Sequence, residues 1–74
     1  MEPSLAARLV YWRKARKLTQ AQLAKRIDVT QSALSHWESE GDDHTDPSQA
    51  NLEKLVGALD LTMEKFYGRL PKVA

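Results

Sequence analysis

Three residues, Asp28, Val29 and Thr30, are all that separate two stretches of helical apolar spacing. Before them stand Leu23, Ala24 and Ile27; after them stand Leu34 and Trp37. Apolar side chains at three- and four-residue intervals line one face of a helix. Two short helices joined by so brief a link must cross steeply, with their apolar stripes in contact. Ala24 is small enough for the close approach, and Val29 can fill the inside of the turn. Leu34 and Trp37 then anchor the second helix on the first.

The same spacing runs through the rest of the chain, and nothing alternates with the period of a strand. A first helix is predicted over about Ser4–Arg16, with Leu5, Leu9 and Trp12 on one face. The second opens at Thr19, whose hydroxyl can cap, and Gln22 completes the pattern of a capping box. The third runs from Thr30 to about Ser39, and a loop follows through Asp46. Asp46, Pro47, Ser48 and Gln49 offer a cap, a proline at the first helical position and a reciprocal glutamine. The fourth helix turns Leu52, Leu55, Val56 and Leu59 to the core. Thr62 caps a short fifth helix carrying Met63, Phe66 and Tyr67, stopped by Gly68 and Pro71. The expected fold is all-α: one compact five-helix domain over residues 1–74, without repeat or linker.

With 74 residues, a single core is only marginally sufficient. The absence of cysteine removes disulfides and thiolate metal sites, which leaves dense helix packing or a partner subunit. The start of the chain lacks the basic and apolar regions of a signal peptide, so a cytoplasmic protein is expected. Asp42, Asp43, His44 and Asp46 lack the spacing and glycine of a calcium loop, and a solvated loop is expected there. No Gly-rich phosphate loop occurs, and neither histidine has an evident nucleophile partner. No enzyme activity, metal or cofactor is expected.

The charges are segregated. Seven basic residues and no acid lie between Pro3 and Ile27: Arg8, Arg13, Lys14, Arg16, Lys17, Lys25 and Arg26. Seven acids and no Lys or Arg occupy the stretch from Asp28 to Glu53. A chain divided in this way presents a basic side suited to phosphate.

The stretch LTQAQLAKRIDVTQSALSHWE, Leu18 to Glu38, resembles the Xre-like, phage repressor and Cro type of helix-turn-helix DNA-binding domain. NLEKLVGALDLTMEKFY, Asn51 to Tyr67, is similar to that family's fourth and fifth helices. The resemblance implies a lambda-repressor-like fold with its helix-turn-helix at about residues 19–39, binding double-stranded DNA to regulate transcription. Gln31 would open the recognition helix and read adenine, through N6 and N7 in the major groove. Ser32, Ser35 and His36 share that outward face as further base-reading candidates. Gln20, at the N-terminus of the second helix, would grip a phosphate. Thr19, Thr30 and Ser39 suit phosphate contacts, and Lys14, Lys17, Lys25 and Arg26 supply attraction to the backbone. Arg13 and Glu38 stand where the family carries an ion pair between helix 1 and the recognition helix. Asp28 replaces the family's usual turn glycine, and aspartate tolerates a left-handed backbone better than most residues. The acidic loop GDDHTD departs from the family's shorter and often basic one, so no loop contact to phosphate is expected.

Specificity on DNA normally requires a dimer on a pseudo-palindrome, and Phe66, Tyr67, Leu70 and Val73 are the expected self-association surface. The rival reading is an antitoxin or other protein-interaction module, with the acidic loop set against a basic partner such as a toxin. A weaker rival is a piece of a longer, ligand-sensing repressor; the first Met and the Pro71 stop favour a complete small protein.

Overall fold

Each helix begins on a hydroxyl. Ser4, Thr19, Thr30, Ser48 and Thr62 are the N-caps, and each accepts the backbone N–H three residues on: Ala7, Gln22, Ala33, Asn51 and Lys65. The computed structural model describes residues 3–70. The helices are α1 (Leu5–Ala15), α2 (Gln20–Arg26), α3 (Gln31–Glu38), α4 (Gln49–Ala58) and α5 (Met63–Tyr67). No strand occurs among the described residues, so the all-α expectation holds. Such caps contribute about 1 kcal/mol each, a large share of stability for helices this short. At α2 the capping box is complete, with the Thr19 N–H donating to Gln22 Oε1 at 2.8 Å.

One start differs from expectation. The fourth helix is capped by Ser48 rather than Asp46, and Pro47 lies before the helix instead of in its first turn. The cause is local chemistry. Asp46 Oδ1 is occupied by His44 Nε2 at 2.7 Å, leaving the Ser48 hydroxyl to take the Asn51 N–H.

Helices α1, α2 and α4 end alike. Lys17, Asp28 and Asp60 have φ of 59°, 58° and 59°, the left-handed conformation that terminates a helix. The next residue in each case, Leu18, Val29 or Leu61, donates its N–H back to Arg13, Ala24 or Val56. These are Schellman closures, and the apolar residue that follows each is packed on the core. The turn between α2 and α3 is therefore built from Asp28 in the left-handed region and half-buried Val29.

Helix α3 packs against both α1 and α2, α4 against α2 and α5, and α5 returns to α1. Leu9, Leu23, Leu34, Leu55, Leu59 and Phe66 are without solvent exposure at the centre. Trp12 and Trp37 complete the cluster. Burying a side chain of this size contributes about 1.5–3 kcal/mol, so these few residues account for most of the core.

Phe66 corrects an expectation: its ring lies wholly inside the core and offers nothing to a second subunit. Tyr67 is half exposed, Leu70 is half-buried against the core, and Val73 and Pro71 lie outside the described residues. No helix among the described residues is long and apolar enough to cross a membrane.

Candidate nucleic-acid interface

The third helix divides its residues by periodicity. Leu34, Trp37 and Glu38 are buried, whereas Gln31, Ser32, Ser35 and His36 are exposed. Positions 31 and 35, and 32 and 36, are each one turn apart, so the four make one uncharged polar face. Glu38 follows Leu34 by four residues and turns inward with it.

There Glu38 becomes a hub. Its carboxylate accepts Arg13 Nε at 2.7 Å and Nη2 at 3.0 Å, and Gln20 Nε2 at 3.0 Å. Arg13 Nη1 donates to the Leu18 carbonyl at 2.8 Å, closing the end of α1. One buried carboxylate thus joins α1, α2 and α3. The Gln20 amide, expected to meet phosphate, gives one of its protons to this hub and keeps the other. Thr19 and Thr30 accept as caps through their oxygens, which leaves each hydroxyl proton able to donate to an anion.

The basic side is narrower than the sequence implies. Arg8 is buried, and its Nη1 donates to the carbonyls of Phe66 at 3.0 Å and Gly68 at 2.6 Å. Its guanidinium also lies over the Tyr67 ring, 5.9 Å from the centroid. Arg16 Nε donates to the Leu59 carbonyl at 2.8 Å and the group lies over Trp12. With Arg13 in its ion pair, three of the seven cations close helix ends or join helices. Lys14, Lys17, Lys25 and Arg26 are exposed.

The acidic loop is not merely solvated. The Thr45 N–H donates to the His36 carbonyl at 3.2 Å, and His36 Nδ1 lies 3.0 Å from the Asp43 carbonyl. Ser4 Oγ, already the α1 cap, donates to Glu40. His44 holds the loop from within, with Nδ1 2.9 Å from the Ser39 carbonyl and Nε2 2.7 Å from Asp46 Oδ1. Both partners are acceptors, so the doubly protonated ring fits best. The hydrogen bond to Asp46 chiefly raises the His44 pKa above 6.5; Ser39 and the charges of Asp46 and Glu40 add to it, against partial desolvation. Ser39 is half-buried and contributes its carbonyl to this loop.

The helix-turn-helix family model matches residues 9–66. The chain belongs to the Xre/Cro-type helix-turn-helix family. The immunity repressor protein of Bacillus phage phi105 is 39% identical over 56 residues, which are 76% of this chain. The chain spans 37% of the length of that relative. No solved structure matches.

Within this helix-turn-helix domain, sequence reasoning missed Arg8 as a structural residue. The signal was present: Arg8 sits three residues after Leu5 and four before Trp12, on the inward stripe. Nothing local in the sequence signals the link between Gln20 and Glu38, or the hydrogen bonds that hold the acidic loop.

Proposed function

We propose that the protein is a sequence-specific double-stranded DNA-binding transcriptional regulator. The observation that carries this reading is the division of α3: Glu38 is drawn inward, and Gln31, Ser32, Ser35 and His36 form an uncharged polar face. Such a face can enter the major groove without repelling phosphate and can read base edges by hydrogen bonds. Gln31 pairs with adenine there. Gln20 and the first N–H groups of α2 meet one phosphate strand, with Thr19 and Thr30 beside them. Lys14, Lys17, Lys25 and Arg26 supply the salt-dependent attraction. The name of the phage relative, an immunity repressor, supports repression as the outcome.

A homodimer on a pseudo-palindrome, with half-sites about 34 Å apart, completes the reading. Phe66 is internal, and among the described residues Tyr67 is the exposed large apolar side chain at that end. Selection of bound sequences from random DNA tests the proposal. Enrichment of a two-fold symmetric motif supports it, and a pool that stays random rejects it.

A second reading draws on the acidic loop. Ties from Ser4 to Glu40, from His36 to Asp43 and from His44 to Ser39 hold the acidic loop in place, which suits a basic protein partner such as a toxin. Co-purification of a stoichiometric basic protein, lost on replacing Glu40, Asp42 and Asp43 by Asn or Gln, distinguishes it.

A further inference from the structure

On the outward face of α3, three side chains have a hydrogen-bonding sense that nothing fixes. An amide such as that of Gln31 both donates and accepts, and the hydroxyls of Ser32 and Ser35 rotate to suit a partner. His36 differs. Its Nδ1 lies 3.0 Å from the backbone carbonyl of Asp43, and the neighbouring Thr45 N–H returns to the His36 carbonyl at 3.2 Å. A carbonyl oxygen can only accept, so the ring proton of neutral His36 must sit on Nδ1. Nε2 then carries a lone pair and no proton. It has no hydrogen-bond partner among the described residues, and His36 is exposed.

We infer that the Asp43 carbonyl fixes the tautomer of His36 and makes it a reader of bases that present an exocyclic amino group in the major groove. This rests on the reading of α3 as the recognition helix. In the major groove the hydrogen-bond donors are adenine N6 and cytosine N4, while guanine O6 and N7 and thymine O4 are acceptors. An Nε2 lone pair gains a hydrogen bond from the first pair and faces another lone pair in the second. The loop after α3 thereby enters specificity without touching DNA: its backbone sets what the helix side chain can accept. A single hydrogen bond of this kind gives roughly five- to tenfold discrimination.

The test is selection from random duplex DNA with the wild type, His36→Asn and His36→Gln. Asparagine can keep the Asp43 bond but lacks the reach of Nε2. Glutamine has the reach, yet its amide can either donate or accept. Expected is one position per half-site that carries adenine or cytosine on one strand for the wild type and shows no preference for His36→Asn or His36→Gln. Two-bond proton–nitrogen correlation spectra of the free wild type should show the proton on Nδ1. A proton on Nε2 overturns the tautomer assignment, as does unchanged affinity when the adenine or cytosine at that position is replaced by an analogue lacking its exocyclic amino group. Motifs identical for all three proteins overturn the role of His36 while leaving DNA recognition standing. A pool that no protein enriches overturns DNA recognition itself.

Discussion

The carboxylate of Glu38 accepts both Nε and Nη2 of Arg13, at 2.7 and 3.0 Å, and so binds α3 to α1 across 25 residues of sequence. Their side chains are 3% and 12% exposed, which makes the pair a buried one. Removing one partner strands a charge in the core, and that costs more than the pair contributes when intact. Glu38→Ala should lower stability by about 3 kcal/mol, read as a shifted urea midpoint. The double replacement Arg13→Met with Glu38→Leu should recover most of that loss. A double variant as unstable as the single one would show that the cost lies in lost packing rather than in the stranded guanidinium.

Arg8 makes a second demand on stability. Its Nη1 satisfies two carbonyls at the end of α5, those of Phe66 and Gly68, from the buried side of α1. Hydrogen bonds from a charged donor contribute about 1.5–3 kcal/mol, and α5 has only five residues with which to hold itself. Arg8→Met should cost about 2 kcal/mol and speed amide exchange of Phe66 and Tyr67 more than that of α2. Lysine should not rescue it, because a single ammonium cannot reproduce the planar fork.

What the sequence reveals follows from how local each cause is. The starts of α1, α2, α3 and α5 are legible because Ser or Thr caps within its own first turn. The start of α4 is not, because Asp46 is occupied by His44, a contact that exists only once the loop is folded. The inward face of α3 is legible from Leu34 and Trp37. The inward position of Arg8 is legible from its spacing, but which carbonyls Arg8 and Arg16 satisfy depends on distant helix ends, and sequence spacing does not carry that. Phe66 was misplaced for a related reason. Its apolarity is plain, but whether it faces this core or a second subunit depends on how α5 returns to α1.

Three helices end on a left-handed residue other than glycine, and this sets up a simple stability test. Lys17 has a φ of 59° and a Cβ that crowds the following carbonyl, at a cost of roughly 1–2 kcal/mol. Lys17→Gly should therefore raise stability by about 1 kcal/mol once the greater freedom of glycine in the unfolded chain is deducted. Asp28→Gly should gain less, since aspartate tolerates this region better. Thermal melting should show rises of about 4–8 °C for each kcal/mol in a domain of this size. A destabilised Lys17→Gly would mean that its side chain makes a favourable contact outweighing the strain.

His44 makes stability depend on pH. Its hydrogen bond to Asp46, aided by Ser39 and the charges of Asp46 and Glu40, raises the folded-state pKa above 6.5. A raised pKa means that the folded state binds the proton more tightly than the unfolded one. The contribution is then fully present below about pH 6.5 and is lost as pH rises through the higher folded value. Urea midpoints measured from about pH 6 to about pH 9 should fall for the wild type more than for His44→Gln. Equal slopes for the two proteins would remove the His44–Asp46 latch from the account.

Base reading and backbone attraction separate by their response to salt. Lys25 is exposed on the last turn of α2, the helix whose first residue, Gln20, meets phosphate in the proposed complex. Each cation that neutralises a phosphate releases condensed counterions, so log affinity falls with log salt by about 0.9 per contact. Lys25→Gln should weaken binding equally on all sequences and reduce that slope by about one. Gln31→Ala should leave the slope unchanged and cost about 1–3 kcal/mol on the preferred site alone. Gel-shift titrations of both variants on selected and scrambled duplexes, at several salt concentrations, separate the two effects. A change in slope for Gln31→Ala would place that side chain on the phosphate backbone and move the reading face away from the start of α3.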